Sequence, residues 1–187
     1  MTCRAAVLQC VSTDDLERNF QQVETLLVSA KKAECQIVVL PENFAYFSAK
    51  DLRAKAALEG QDLGPVMHFL SEQAKSLDLW LVGGTTPLLE DGRHKRAPEK
   101  RVFASSVVFG PDGKRRAQYN KMHLFDATVE DQVGSYRESD QYAPGDRNET
   151  VTTPWGDLGM AVCYDLRFPE FFRRMSSPSL TLSLIHI

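Results

Sequence analysis

The stretch Gln36-Ile37-Val38-Val39-Leu40-Pro41-Glu42 decides the fold class. Its near-continuous apolar run has no alternation, so it reads as a strand covered on both faces, as strands of parallel sheets are. Pro41 stops it. Toward the N-terminus, Leu16, Phe20, Val23, Leu27 and Ala30 recur at spacings of 4, 3, 4 and 3, which makes one apolar helical face. Asp14 is expected to open that helix, with Glu17 three residues on as its capping-box partner. Ala5 to Leu8 reads as a buried strand before it. A strand, a helix and a strand in this order imply a parallel pair joined by a right-handed crossover, hence an α/β fold.

Toward the C-terminus, Ala49 to Leu58 and Pro65 to Leu77 read as helices, and Leu79 to Val82 as a buried strand ending at Gly83-Gly84. Arg101 to Phe109 and Lys114 to Tyr119 form a hairpin around Pro111-Asp112-Gly113. Asn120 to Asn148 has no clean period, and loops this long inside compact domains are usually functional. Thr150 to Thr153 and Leu158 to Val162 are the last clear strands, around Pro154-Trp155-Gly156-Asp157. Neither an internal repeat nor a linker is visible.

Composition narrows the function classes. The 187 residues are 43% hydrophobic and 25% charged, enough apolar material to bury a core. Twenty-two Lys+Arg against 25 Asp+Glu leave a net charge of -3, which disfavours general binding to nucleic acid or to a membrane surface. No apolar run approaches the roughly 18 residues of a membrane span. Cys3, Cys10, Cys35 and Cys163 fit no zinc spacing, and His68, His94, His123 and His186 fall at no ligand spacing, so no metal site is expected. The N-terminus reads as a first strand and not as a signal sequence, so the thiols are expected reduced and the location cytoplasmic, with a mitochondrial form only from an upstream start. The basic cluster His94, Lys95, Arg96, Lys100 and Arg101 lies beside Glu90, Asp91 and Glu99 and reads as a solvated hairpin tip.

Three places put a reactive side chain at a strand end. Glu42 follows this buried strand directly, and α/β proteins place active sites at such strand ends. A carboxylate held there among apolar residues gains affinity for a proton, as a general base requires; alone, Glu42 reads as an exposed loop residue. Lys121 lies just past a strand at the mouth of the long loop, where an ammonium can stabilise an oxyanion; alone, it reads as a surface lysine. His123 reads as a donor to backbone before it reads as a proton shuttle. Cys163 ends an apolar strand, and a thiol at a strand-to-helix elbow sees the helix N-terminus, which favours the thiolate. The N–H of Tyr164 would then face an oxyanion. Alone, Cys163 reads as a buried inert thiol.

Together these residues are far more specific. Leu40-Pro41-Glu42-Asn43-Phe44, Asn120-Lys121-Met122-His123-Leu124-Phe125-Asp126 and Cys163-Tyr164-Asp165-Leu166-Arg167-Phe168-Pro169-Glu170 resemble the Glu, Lys and Cys motifs of the nitrilase superfamily of carbon–nitrogen hydrolases, in its Nit branch. Tyr136-Arg137-Glu138-Ser139-Asp140 through Asp146 is similar to the segment carrying that family's second active-site glutamate, here Glu138. The resemblance covers residues 3 to 170. It implies an α-β-β-α sandwich and hydrolysis of a small linear amide, such as deaminated glutathione, without metal or cofactor. The alternative substrate is α-ketoglutaramate. It further implies Cys163 as nucleophile, Glu42 as base, Lys121 and the Tyr164 N–H as oxyanion donors, and Glu138 orienting Lys121 or the substrate. Arg167 is a candidate contact for an acidic substrate. Family members are usually homodimers or larger.

The resemblance stops after Glu170. Residues 1–170 are expected to be the N-terminal part of the hydrolase domain, and residues 171–187 a tail foreign to it, leaving the sandwich incomplete at its C-terminus. Leu182-Ser183-Leu184-Ile185-His186-Ile187 looks like a translated sequencing adapter; the alternative is a genuine terminus forming a strand. A truncated product that binds without turnover is the competing reading for the whole chain.

Overall fold

The computed structural model describes residues 2–47, 50–60, 64–90, 96–98, 100–128 and 135–186, with side chains as far as residue 180. It is an α/β sandwich of two facing mixed sheets with flanking helices. The first sheet holds, in spatial order, β1 (Ala5–Val7), β2 (Ile37–Val39), β3 (Trp80–Leu88), β4 (Phe103–Phe109) and β5 (Arg115–Asn120). β1, β2 and β3 run parallel, whereas β4 and β5 return antiparallel as the expected hairpin. The second sheet places β9 (Gly156–Val162) between β8 (Thr150–Thr153), antiparallel, and β10 (Leu180–His186), parallel.

The helix between β1 and β2 is α1 (Leu16–Lys32), one residue later than the sequence places it. Asp15, and not Asp14, is the N-cap, its side chain accepting from the Arg18 N–H at 3.1 Å. Val23, Leu27 and Ala30 are buried, and Leu16 and Phe20 pack beside them. With Val66, Met67, Leu70 and Ala74 of α3 (Pro65–Ser76) they cover one face of the first sheet. The other face, through Ile37, Val39, Val82, Val108 and Tyr119, meets Val151, Leu158, Met160 and Val162 of the second sheet. α4 (Pro169–Met175) drives Phe171 and Met175 into that inter-sheet core. α2 (Leu52–Leu58) packs on β3 through a small separate cluster with Val102.

Three expectations are corrected. β1 is not a buried strand: Val7 is 75% exposed, because β1 is the sheet's edge and has a neighbour on one side only. β3 does not end at Gly83-Gly84 but continues to Leu88. Gly84 is there for close approach, since a Cβ on it would lie 1.7 Å from the Pro41 carbonyl oxygen. The segment from Asn120 to Asn148 is not wholly irregular: β6 (Asp126–Thr128) and β7 (Ser135–Arg137) pair as a small ribbon, followed by a single 3-10 turn at Glu138–Asp140.

Of the basic cluster, Arg96 and Lys100 are exposed, and the Arg96 backbone pairs with that of Glu90 in an isolated antiparallel β-bridge; His94 and Lys95 lie outside the described residues. The four cysteines are free thiols, Cys35 buried and the others half-buried. Among the described residues no helix is long and apolar enough to cross a membrane.

Candidate active site

Glu42, Lys121, Glu138 and Cys163 meet at one end of the seam between the sheets. Each is delivered by a locally determined chain path. After β2, Pro41 ends the ladder and Asn43 takes a left-handed conformation (φ 55), which Asn tolerates better than most residues. Its N–H donates to Thr85 Oγ1 at 2.9 Å, and Thr85 Oγ1 bonds Asn43 Oδ1 at 3.2 Å. The missing side chain of Gly84 lets the Pro41 carbonyl lie against β3. Glu42 is thus fixed from both sides.

Lys121 continues β5 by one residue, its N–H donating to the Ala104 carbonyl at 2.9 Å. Its own carbonyl accepts from the Gly145 N–H at 2.9 Å. A Cβ on Gly145 would stand 2.1 Å from the Asn120 carbonyl oxygen, so glycine is required there too. The Lys121 side chain is buried, and its Nζ lies 3.1 Å from Glu42 Oε1 and 2.9 Å from both oxygens of Glu138. Burial pulls the ammonium's pKa down, but the two carboxylates together outweigh it and the net shift is upward, so the group is a fixed cation. Glu138 opens the 3-10 turn after β7 and also accepts the Phe125 N–H at 2.6 Å. The ribbon of β6 and β7 is therefore what presents it.

Cys163 follows β9 with φ 46, a left-handed conformation rare for a non-glycine residue, and opens the 3-10 turn Cys163–Arg167. Strained backbone of this kind at a strand-to-helix turn holds a side chain outward, as in nucleophile elbows. The Tyr164 N–H is among the first-turn donors that have no acceptor within the turn. The thiol lies within the electrostatic reach of Glu42, Lys121 and Glu138. Its pKa is pushed up to about 11, first by burial and then by the Glu42 charge, against a smaller downward pull from Lys121. This corrects the expectation of a resting thiolate. The helical element is one short 3-10 turn, and two carboxylates against one ammonium leave the site net negative. Nor does Glu42 stand among apolar side chains alone, since Lys121 faces it.

His123 does not donate to backbone. Its Nδ1 lies 2.6 Å from Asp165 Oδ1, and its ring stacks on Phe168 with centroids 3.7 Å apart. Arg167 is exposed on the surface of its turn. Two residues that the sequence reading passed over also belong here. Tyr142 is packed near Glu138 and Glu42, and burial and those charges push its hydroxyl up to about 12. Asp165 is fully buried beside the elbow. The signal for Asp165 was its place two residues past the cysteine in an otherwise apolar run. Among the described residues, no group of three or more His, Cys, Asp and Glu could hold a metal ion.

With an ammonium between two carboxylates and a thiol in their field, a carboxylate can take the proton off sulfur and the ammonium can stabilise an oxyanion beside it. Comparisons with known proteins agree in kind. Residues 4–185 match the family model for carbon–nitrogen hydrolases. The chain is 35% identical over 171 residues to the deaminated glutathione amidase of Yersinia enterocolitica, covering 91% of this chain and 57% of that protein. It is 32% identical over 163 residues to the omega-amidase Nit3 of Saccharomyces cerevisiae, covering 85% and 54%. The crystal structure of yeast Nit3, a member of branch 10 of the nitrilase superfamily, superposes with a TM-score of 0.75 at 28% identity, over 93% of this chain and 59% of that one. The chain thus spans between half and three-fifths of the length of these relatives.

Proposed function

The chain belongs to the carbon–nitrogen hydrolase family, and within it we propose hydrolysis of a small linear amide through a thioester on Cys163. The observation that carries this reading is Lys121 Nζ held between Glu42 and Glu138, with the Cys163 thiol in the field of all three charges. In the proposed sequence Glu42 takes the thiol proton as sulfur attacks the amide carbon. The carbonyl oxygen, now an oxyanion, is held by Lys121 and the Tyr164 N–H. Glu42 passes the proton to the departing ammonia, which leaves a thioester. Glu42 then removes a proton from water, the hydroxide displaces sulfur, and the acid leaves as the thiol is restored. Glu138 keeps Lys121 aimed at the oxyanion. Metal and cofactor have no part in the scheme, and the location is cytoplasmic.

The favoured substrate is deaminated glutathione, with α-ketoglutaramate as the second. The relatives named above for each activity support both readings at similar identity. Ammonia release from the two amides, measured side by side, separates them. Cys163→Ala is expected to abolish release while the circular dichroism stays unchanged; substantial turnover in that variant would overturn the mechanism.

The proposal extends to chain organisation: residues 1–170 as the N-terminal part of the hydrolase domain, and residues 171–187 as a tail foreign to it. The family match runs past that boundary to residue 185. The intact mass of the endogenous protein, captured with a thiol probe, tests the boundary. A heavier species sharing residues 1–170 supports it, and a 21.0 kDa species ending at Ile187 makes the tail a genuine terminus and favours the reading of a short form that binds without turnover.

A further inference from the structure

We propose that Asp165 is the positioning residue that locks the Cys163 elbow to the Lys121 loop; the proposal rests on the amidase reading for what the two groups do. Asp165 is 0% exposed, and both of its oxygens are used. Oδ2 accepts the Tyr119 hydroxyl at 2.6 Å and the Val162 N–H at 2.9 Å. Oδ1 accepts the His123 N–H at 3.1 Å and lies 2.6 Å from His123 Nδ1. A carboxylate only accepts, so the imidazole proton sits on Nδ1. The Tyr119 hydroxyl in turn accepts the Met122 N–H at 3.1 Å.

The partners are not scattered. Val162 is the residue before Cys163, and Tyr119, Met122 and His123 bracket Lys121 on both sides. One carboxylate thereby ties the last residue of β9, on the second sheet, to the chain leaving β5, on the first. Apolar packing would fill the same space without desolvating a charge. What the carboxylate adds is direction: each oxygen aims at donors on both sides of the seam or on the lysine loop. The relative placement of sulfur and ammonium is then set by bonds and not by packing alone.

The test uses the full chain with Asp165→Asn and Tyr119→Phe. Asn keeps the shape of the side chain but turns one accepting oxygen into a donor, and Phe removes a single partner. Three readouts are taken: site-resolved alkylation of Cys163 by iodoacetamide against pH, the kcat and KM of ammonia release from α-ketoglutaramate and deaminated glutathione, and the 15N shifts of His123. In Asp165→Asn the alkylation midpoint is expected to move upward, because sulfur loses the field of Lys121. The value of kcat is expected to fall roughly 100-fold with KM changed less than about twofold, and the His123 tautomer to be lost. Tyr119→Phe should move alkylation the same way by less. An alkylation profile in folded Asp165→Asn superimposable on that of the wild type would overturn the proposal. If Asp165→Asn does not fold, an unchanged profile in Tyr119→Phe overturns it. If the wild type releases no ammonia from either amide while alkylation still shifts, the amidase reading fails and the positioning role stands.

Discussion

The Cys163 thiol and the Glu42 carboxylate come from opposite sheets, and burial together with the carboxylate's charge keeps the proton on sulfur. In this arrangement the nucleophile is stored neutral beside its own base, and activation waits on a change in Glu42's surroundings and not on bulk pH.

Alkylation of Cys163 should therefore be slow at pH 7 and rise toward pH 11, following a thiol pushed up to about 11. Glu42→Gln removes the negative charge that helps to raise it. The thiol pKa should fall, and neutral-pH alkylation should quicken by about tenfold for each unit. Site-resolved mass spectrometry with iodoacetamide reads this. Slower labelling in the variant would contradict the placement of Glu42.

Lys121→Met leaves Glu42 and Glu138 facing each other without a cation, and should cost about 3 kcal/mol in urea unfolding. The ammonium's pKa is raised in the fold above its ordinary 10.5. Its stabilisation is thus fully present below pH 10.5 and is lost as pH climbs through the raised value. The stability gap between wild type and variant should be flat below pH 10 and close above it.

Gly84→Ala and Gly145→Ala place a methyl where a carbonyl oxygen already stands, beside Glu42 and Lys121 respectively. Each obstacle is backbone, so the chain itself must move. A loss of about 2 kcal/mol in stability is expected for each, with turnover falling further than stability alone accounts for. Thermal melts and ammonia release on the same samples separate the two effects.

Glu59 is buried at the start of α3, where the N-cap Gly64 has no side chain to offer. Its carboxylate accepts the N–H of Val66 at 3.1 Å and of Met67 at 3.0 Å. Glu59→Ala leaves both donors unpaired and should cost about 1–2 kcal/mol. Chemical denaturation measures it.

What was legible in the sequence was local or spelled in motifs. The strand around Val38 and the apolar face of α1 follow from periodicity, and each of the four motif residues lies where its motif places it relative to a strand or loop. What was not legible depends on residues far along the chain. Val7 looks like a core residue until β1 proves to be an edge. Gly83-Gly84 looks like a stop until Pro41 is seen to need the room. Asp165 meets His123 and Tyr119 from 42 and 46 residues away, and no spacing rule connects them. The resting charge of Cys163 was misjudged because the elbow was read alone, whereas Glu42 and Lys121 arrive from the opposite sheet.

Glu42 and Lys121 ride on one sheet and Cys163 on the other, with the shared core of Val39, Tyr119, Met160 and Val162 between them. The chemistry is consequently a strain gauge for the sandwich. Any slip of one sheet along the other, too small to expose the core or to alter the circular dichroism, changes the gap between sulfur and base directly. Warming or mild denaturant should silence the thiol's partnership with Glu42 before either sheet has lost a strand.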